Sequence, residues 1–227
     1  LGIDEASYGP EHPDVARDLN NLAALLQATN RLAEAEPLME RVVSIFETAY
    51  GPEHPKVATA LNNLATLLHN TNRYAEAEPL MRRALGIDEA SYGPEHPDVA
   101  RDLNNLAWLL QNTNRHAEAE PLYRRALGID EASYGPEHPD VARDLNNLAA
   151  LLQATNRLAE AEPLMERVVS IFETAYGPEH PKVATALNNL ATLLHNTNRY
   201  AEAEPLMRRA LGIDEASYGP EHPDVAR

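Results

Sequence analysis

The chain has 227 residues, with 19 Lys and Arg against 35 Asp and Glu, a formal net charge of −16, and no Cys. The acidic balance disfavours nucleic acid as a general partner, and the lack of Cys excludes disulfides, thiolate metal sites and Cys nucleophiles. A chain without Cys fits a reducing compartment, and a cytoplasmic location is expected. No apolar run approaches the about 18 residues of a membrane span, and the N-terminal LGIDEASY has neither the basic flank nor the apolar core of a secretory leader.

Order in this chain comes from repetition. GPEHPDVARDLNNLA begins at Gly9 and returns, exactly or with small changes, at Gly51, Gly93, Gly135 and Gly177, and its opening returns at Gly219; each start lies 42 residues after the last. A fixed period of this size marks a solenoid or array. A single array over 1–227 is expected: a partial unit 1–8, full units 9–50, 51–92, 93–134, 135–176 and 177–218, and a partial unit 219–227. Residues 127–227 repeat residues 1–101 letter for letter, so the units run in the order a, b, c, a, b. Identity this strict implies recent tandem duplication or design.

Within a unit, Pro13 to Ala28 reads as a first helix, A. Pro at the first helical position and Asp14 in the first turn are start signals. Val15, Leu19, Leu22, Ala23 and Leu26 fall on one face and form the expected core stripe. Thr29-Asn30-Arg31 is the turn, with Asn30 suited to a left-handed cap.

A second helix, B, is expected from Leu32 to Tyr50. Leu32, Ala35, Leu38, Met39, Val42, Ile45, Phe46 and Ala49 recur at spacings of three and four. Glu34 and Glu36 lie near its start, where the helix dipole favours acids. Pro37 removes one backbone donor inside the helix, and Gly51-Pro52 ends it. Gly86, Gly128 and Gly212 stand where the type a units have Ser44 and Ser170; close helix packing is the expected reason. Two such helices joined by a short turn pack antiparallel, and one pair cannot cover both of its faces. Stacking of pairs does so, giving an all-α solenoid whose core is mostly Leu, Ala and Val.

The unit resembles the tetratricopeptide repeat (TPR). Leu19, Leu22, Ala23 and Leu26 match core positions of its first helix, and Ala35, Met39 and Val42 those of its second. The 42-residue form found in kinesin light chains and related bacterial proteins is closest: His96-Pro97-Asp98-Val99-Ala100, Leu103-Asn104-Asn105-Leu106-Ala107 and Ala119-Glu120-Pro121-Leu122-Tyr123 carry its pattern. The resemblance implies a right-handed superhelix of antiparallel helix pairs. It departs from the common form in lacking the Pro that closes a 34-residue unit.

A second stripe on helix A, Arg17, Asn20, Ala24, Gln27 and Ala28, lies beside the core face. The resemblance implies that such positions line a groove holding a peptide or a helix. Asn20, Asn62, Asn104, Asn146 and Asn188 occupy the same place in each unit, and a primary amide offers both donors and an acceptor. One per repeat would form a ladder along a peptide backbone. The alternative is that these amides bond to the neighbouring repeat, which is also the reading for the second Asn, Asn21. Position 24 varies as Ala24, Thr66, Trp108, Ala150 and Thr192, and Trp108, the only Trp, is a candidate anchor or a shield for the adjacent helix. Arg17, Arg101 and Arg143 would add positive charge suited to an acidic ligand segment, or pair with acids such as Asp14 and Asp18.

The series His12, His54, His96, His138, His180 and His222 does not read as a metal site. Adjacent helical layers sit about 10 Å apart, whereas zinc ligands converge within about 2.1 Å of one ion. These residues are expected to pack or hydrogen-bond at the start of helix A, and His69, His116 and His195 to face solvent. No unique catalytic constellation and no Gly-rich phosphate loop is present, and no cofactor is implied. The expected function is a non-enzymatic scaffold for a protein or peptide partner, without nucleic acid or membrane. The alternatives are a structural array that stacks head to tail through terminal apolar positions such as Val225, or an engineered or fragment repeat chain without an evolved ligand.

Overall fold

In the computed structural model the described residues are 9–219; residues 1–8 and 220–227, which include Val225, His222 and most of the two partial units, lie outside them. Among the described residues there are ten α-helices and no strand. They are α1 (Pro13–Ala28), α2 (Leu32–Tyr50), α3 (Pro55–Asn70), α4 (Tyr74–Tyr92), α5 (Pro97–Asn112), α6 (His116–Tyr134), α7 (Pro139–Ala154), α8 (Leu158–Tyr176), α9 (Pro181–Asn196) and α10 (Tyr200–Tyr218). Each unit thus supplies one 16-residue and one 19-residue helix, with the bounds expected from its capping residues.

The His before the first helix of each pair caps it. His12 Nδ1 accepts the Asp14 backbone N–H at 3.2 Å, which satisfies one of the orphan donors of the first turn. His54, His96, His138 and His180 do the same at 3.1 to 3.2 Å. The rings of His54, His96, His138 and His180 also stack on the Tyr that closes the preceding helix, as in Tyr92–His96 with centroids 4.5 Å apart. The turns between paired helices use Asn in the left-handed region, with φ of 58° at Asn30 and 61° at Asn114. Gly51 at φ 90° ends α2, a conformation that L side chains rarely adopt.

The helices fall into two compact units, one ending at Arg115 and the other beginning at His116. In the first, α1 pairs with α2 and α3 with α4, while α2 contacts α3 and α4 contacts α5. In the second, α7 pairs with α8 and α9 with α10, with α6–α7 and α8–α9 contacts between successive repeats. The cores cross repeat boundaries. Val15, Ala16, Leu19, Val42 and Ile45 share a cluster with Ala60 of the next repeat, and Val141, Ala142, Leu145, Val168 and Ile171 share one with Ala186.

Leu22 corrects one expectation. It lies on the expected core stripe, yet it is 37% exposed and Leu25 is 61% exposed, while their equivalents Leu64 and Leu67 are buried. No helix pair precedes α1 among the described residues, so this face has no cover. Burying one such Leu contributes about 1.5–3 kcal/mol, so much of each repeat's stability belongs to its neighbour.

Ion pairs trace the same boundaries. Arg73 reaches Glu36 of the previous repeat at 2.6 Å, Arg115 reaches Glu78 at 2.6 Å, and Arg199 reaches Glu162 at 2.7 Å. Glu36 therefore bridges repeats as well as lying near a helix start.

The helical glycines are not required for close packing, contrary to expectation. A Cβ added at Gly86, Gly128 or Gly212 would meet nothing within 4 Å. Each then carries only the entropic cost of Gly in a helix, about 1 kcal/mol against Ala. Gly86→Ala and Gly128→Ala are expected to raise the thermal midpoint additively, as followed by circular dichroism at 222 nm; a fall in either would mean that these positions are sterically constrained.

Candidate functional site

The five groove asparagines are divided between stacking and exposure. In the first unit, Asn62 is buried and its Nδ2 donates to Asp102 Oδ1 in the following repeat at 2.6 Å. Asn104 is buried and donates to the Ala100 carbonyl at 3.1 Å. Asn20 accepts from Asn63 Nδ2 through its Oδ1 at 3.1 Å, and in the second unit Asn146 accepts from Asn189 Nδ2 at 3.2 Å. Asn188 is exposed.

One residue 40 places downstream accounts for the difference at Asn62. Where that residue is Asp102, the amide N–H is bound across the boundary. Opposite Asn20 and Asn146 the same place holds Ala60 and Ala186, which have no acceptor in the side chain. The N–H groups of Asn20 and Asn146 consequently have no acceptor among the described residues. The second asparagines Asn63 and Asn189 hold adjacent repeats together, the role expected for this position; Asn21 is exposed.

In the second unit these amides border a depression of about 300 Å³ lined by Asn146, Ala150, Gln153, Met165, Asn189 and Thr192. Gln153 is turned onto the thioether of Met165, with its amide nitrogen 3.6 Å from the sulfur. Its lining thus combines the apolar Ala150 and Met165 with the amides of Asn146, Gln153 and Asn189 and the hydroxyl of Thr192. In the first unit the corresponding face carries Trp108, which is 40% exposed and stacks on His69 of the preceding repeat with centroids 3.5 Å apart and planes 29° apart. Trp108 thus shields the adjacent helix and still presents part of its indole.

Arg101 and Arg143 pair with acids across a repeat boundary, and Arg17 pairs with an acid of its own helix. Arg101 pairs with Asp98 at 2.6 Å, Asp102 at 3.2 Å and Asp88 at 3.3 Å. Arg143 pairs with Asp130 at 2.9 Å, Asp144 at 3.0 Å and Asp140 at 3.2 Å. Arg17 pairs with Asp14 at 3.0 Å.

A tetratricopeptide-repeat family model matches the chain in overlapping stretches, 1–48, 19–90, 57–132, 109–174, 145–216 and 182–227, which together span its length. The chain belongs to the tetratricopeptide-repeat family. Its TPR fold is similar to that of the nearly identical TPR-like repeats assigned to a Podosopora anserina kinesin light chain, at 26% identity and a TM-score of 0.78 over 91% of this chain and 98% of that one. BtubC (BKLC) from P. vanneervenii is similar at 23% identity and a TM-score of 0.81, over 93% of this chain and 84% of that one. YrrB, described as a TPR protein with an unusual peptide-binding site, shares the fold at 20% identity and a TM-score of 0.54, over 92% of this chain and 88% of that one. No curated protein sequence matches the chain. No helix among the described residues is long and apolar enough to cross a membrane.

His69 is the largest departure from the reading of this TPR chain as a sequence. It was expected to face solvent, and it is 5% exposed. Trp108 covers one ring face, Tyr74 meets the ring edge-on at 5.0 Å, and the Asn112 amide lies 2.8 Å from Nε2. Its counterpart His195 is exposed because no helix pair follows α10 among the described residues. The available signal was that Trp108 and His69 fall in adjacent repeats, 39 residues apart.

Burial holds the His69 ring below its ordinary value of 6.5, since the charged form loses hydration. A lowered His pKa means that the folded state favours the neutral ring, so its contribution is lost as pH falls through the ordinary range. Acidification is therefore expected to open the Trp108 stack and shift Trp108 emission to longer wavelength, with a midpoint below 6.5. His69→Gln should remove the transition. A midpoint at or above the ordinary His value, or an unchanged transition in the variant, would contradict this account.

Proposed function

We propose that the chain is a non-enzymatic scaffold that holds an extended peptide segment of a partner protein on the open face of the first helix of each pair. TPR repeats are protein-interaction folds, and family members bind proteins or peptides. The observation that carries the more specific reading is the depression bordered by Asn146, Gln153, Asn189 and Thr192, where the Asn146 N–H is left uncommitted. An uncommitted amide beside Ala150 and Met165 is suited to a peptide backbone carrying small apolar side chains. It bonds to main chain whatever the sequence, while Met165 selects against charge.

Asn20 and Asn188 extend this chemistry to other repeats. Asn62 and Asn104 contribute by keeping the stack in register. Trp108 provides a partly exposed aromatic surface of the kind that dominates interface energetics. Arg17, Arg101 and Arg143 stay with their acids and shape the neighbouring surface.

The test is a peptide selection from a random 12-residue library, followed by calorimetric titration of the selected peptides. A hydrogen bond contributes about 0.5–1.5 kcal/mol, so Asn146→Ala is expected to weaken capture of peptides that protect this site by roughly threefold to tenfold. Trp108→Ala should weaken peptides that change Trp108 emission by about tenfold or more. Helicity should be unchanged in both variants. Unaltered affinity in both, with folded protein, would overturn the reading.

A further inference from the structure

The place where the second helix of one repeat meets the first helix of the next is filled in two ways. At the first such junction Phe46 packs against the cluster that contains Ala60. One repeat on, the same two positions hold Asp88 and Asp102, then Asp130 and Asp144, then Phe172 and Ala186. Thr59 and Lys56 become Arg101 and Asp98, and Arg143 and Asp140, in step with that exchange.

The acidic junctions are enclosed. The side chains of Asp88 and Asp102 are 2% and 0% exposed, and those of Asp130 and Asp144 are 3% and 0% exposed. Arg101 Nη2 lies 3.3 Å from Asp88 Oδ2 and 3.2 Å from Asp102 Oδ1, which also accepts from Asn62 at 2.6 Å. The other two oxygens, Asp88 Oδ1 and Asp102 Oδ2, are buried with no donor. The single Arg101 Nη2 nitrogen bridges the two carboxyl groups, which places them side by side in the junction. One proton retained by the pair gives a buried orphan oxygen a hydrogen and leaves a single negative charge for Arg101.

The groups facing each site are few. Asp88 on α4 is faced by Asp98, Arg101 and Asp102 on α5 and by His96 at its cap; Asn62 reaches in from α3. Asp130 on α6 is faced by Asp140, Arg143 and Asp144 on α7 and by His138. Apart from the cap histidines, each site has one cation and three carboxyl groups, so full ionisation leaves buried negative charge uncompensated.

We propose that Asp88–Asp102 and Asp130–Asp144 are proton-operated latches: each junction is closed by one shared proton and loosened by its loss, while the Phe46–Ala60 and Phe172–Ala186 junctions do not respond. Burial pushes Asp102 and Asp144 up to about 7. A raised carboxyl pKa means that the latch contributes fully below the ordinary value of 3.8 and is lost as pH rises through about 7. His69 acts in the opposite sense in the first unit, so Asp130–Asp144 gives the cleaner readout.

Native-state hydrogen exchange at about pH 5 and about pH 8, expressed as protection factors, tests this on the intact chain. Protection across α6–α7 is expected to fall about tenfold or more at the higher pH, with α8–α9 changing by less than about twofold. Replacing Asp130 by Phe and Asp144 by Ala, the pair already used at the apolar junctions, should flatten the response. Carbon-13 titration of the wild-type carboxyl groups needs no variant: one Asp of each pair should titrate near 7. Titration of all four in the ordinary range near 3.8, or equal pH response at acidic and apolar junctions, would overturn the proposal.

Discussion

The structure depends on an apolar face that one helix pair leaves uncovered and the next pair closes. Leu64 and Leu67 are buried because a pair precedes them, whereas Leu22 and Leu25 are exposed at the first described helix. Ala60 belongs to the core of the repeat before its own. Stability in this chain is therefore a property of boundaries as much as of repeats. The Arg–Glu pairs and the Asn–Asn contacts run across the same boundaries and fix their register.

That constraint sorts polar groups into two kinds. Groups within reach of the next repeat are committed to it, as Asn62 is to Asp102 and Arg101 is to Asp88. Groups opposite Ala60 or Ala186 retain unused hydrogen-bonding capacity. A change from Ala to Asp at one position of the following helix thus does two things. It replaces an apolar junction with a buried acid pair, and at Asn62 it withdraws an amide from the exposed face. Binding capacity and boundary chemistry are in this way tied together by a substitution between otherwise similar units.

Helix positions were legible in the sequence because they rest on local chemistry. Pro, His, Asn and Gly at fixed places set each start and stop, and the observed bounds Pro13–Ala28 and Leu32–Tyr50 follow from them. The stripes of Val, Leu and Ala located the core. The roles of polar residues were much less legible, because they are decided by partners 36 to 43 residues away across a boundary. His69 illustrates this: its own helix would leave it in solvent, and Trp108 of the next repeat covers it. The acid pairs carried a readable signal, since Phe46 with Ala60 changes together with Thr59 and Lys56 to Asp88, Asp102, Arg101 and Asp98. Reading repeats against one another shows that exchange; reading each helix alone does not.

The most direct test of the account is a nuclear magnetic resonance map of side-chain amide and indole signals during titration with a selected peptide. The signals of Asn146, Gln153 and Asn188, or the Trp108 indole for peptides held in the first unit, are expected to move with the bound fraction, while Asn62 stays fixed in its bond to Asp102. Shifts confined to the outward surface of the second helices, with the Asn146, Asn188 and Trp108 signals unmoved, would contradict it.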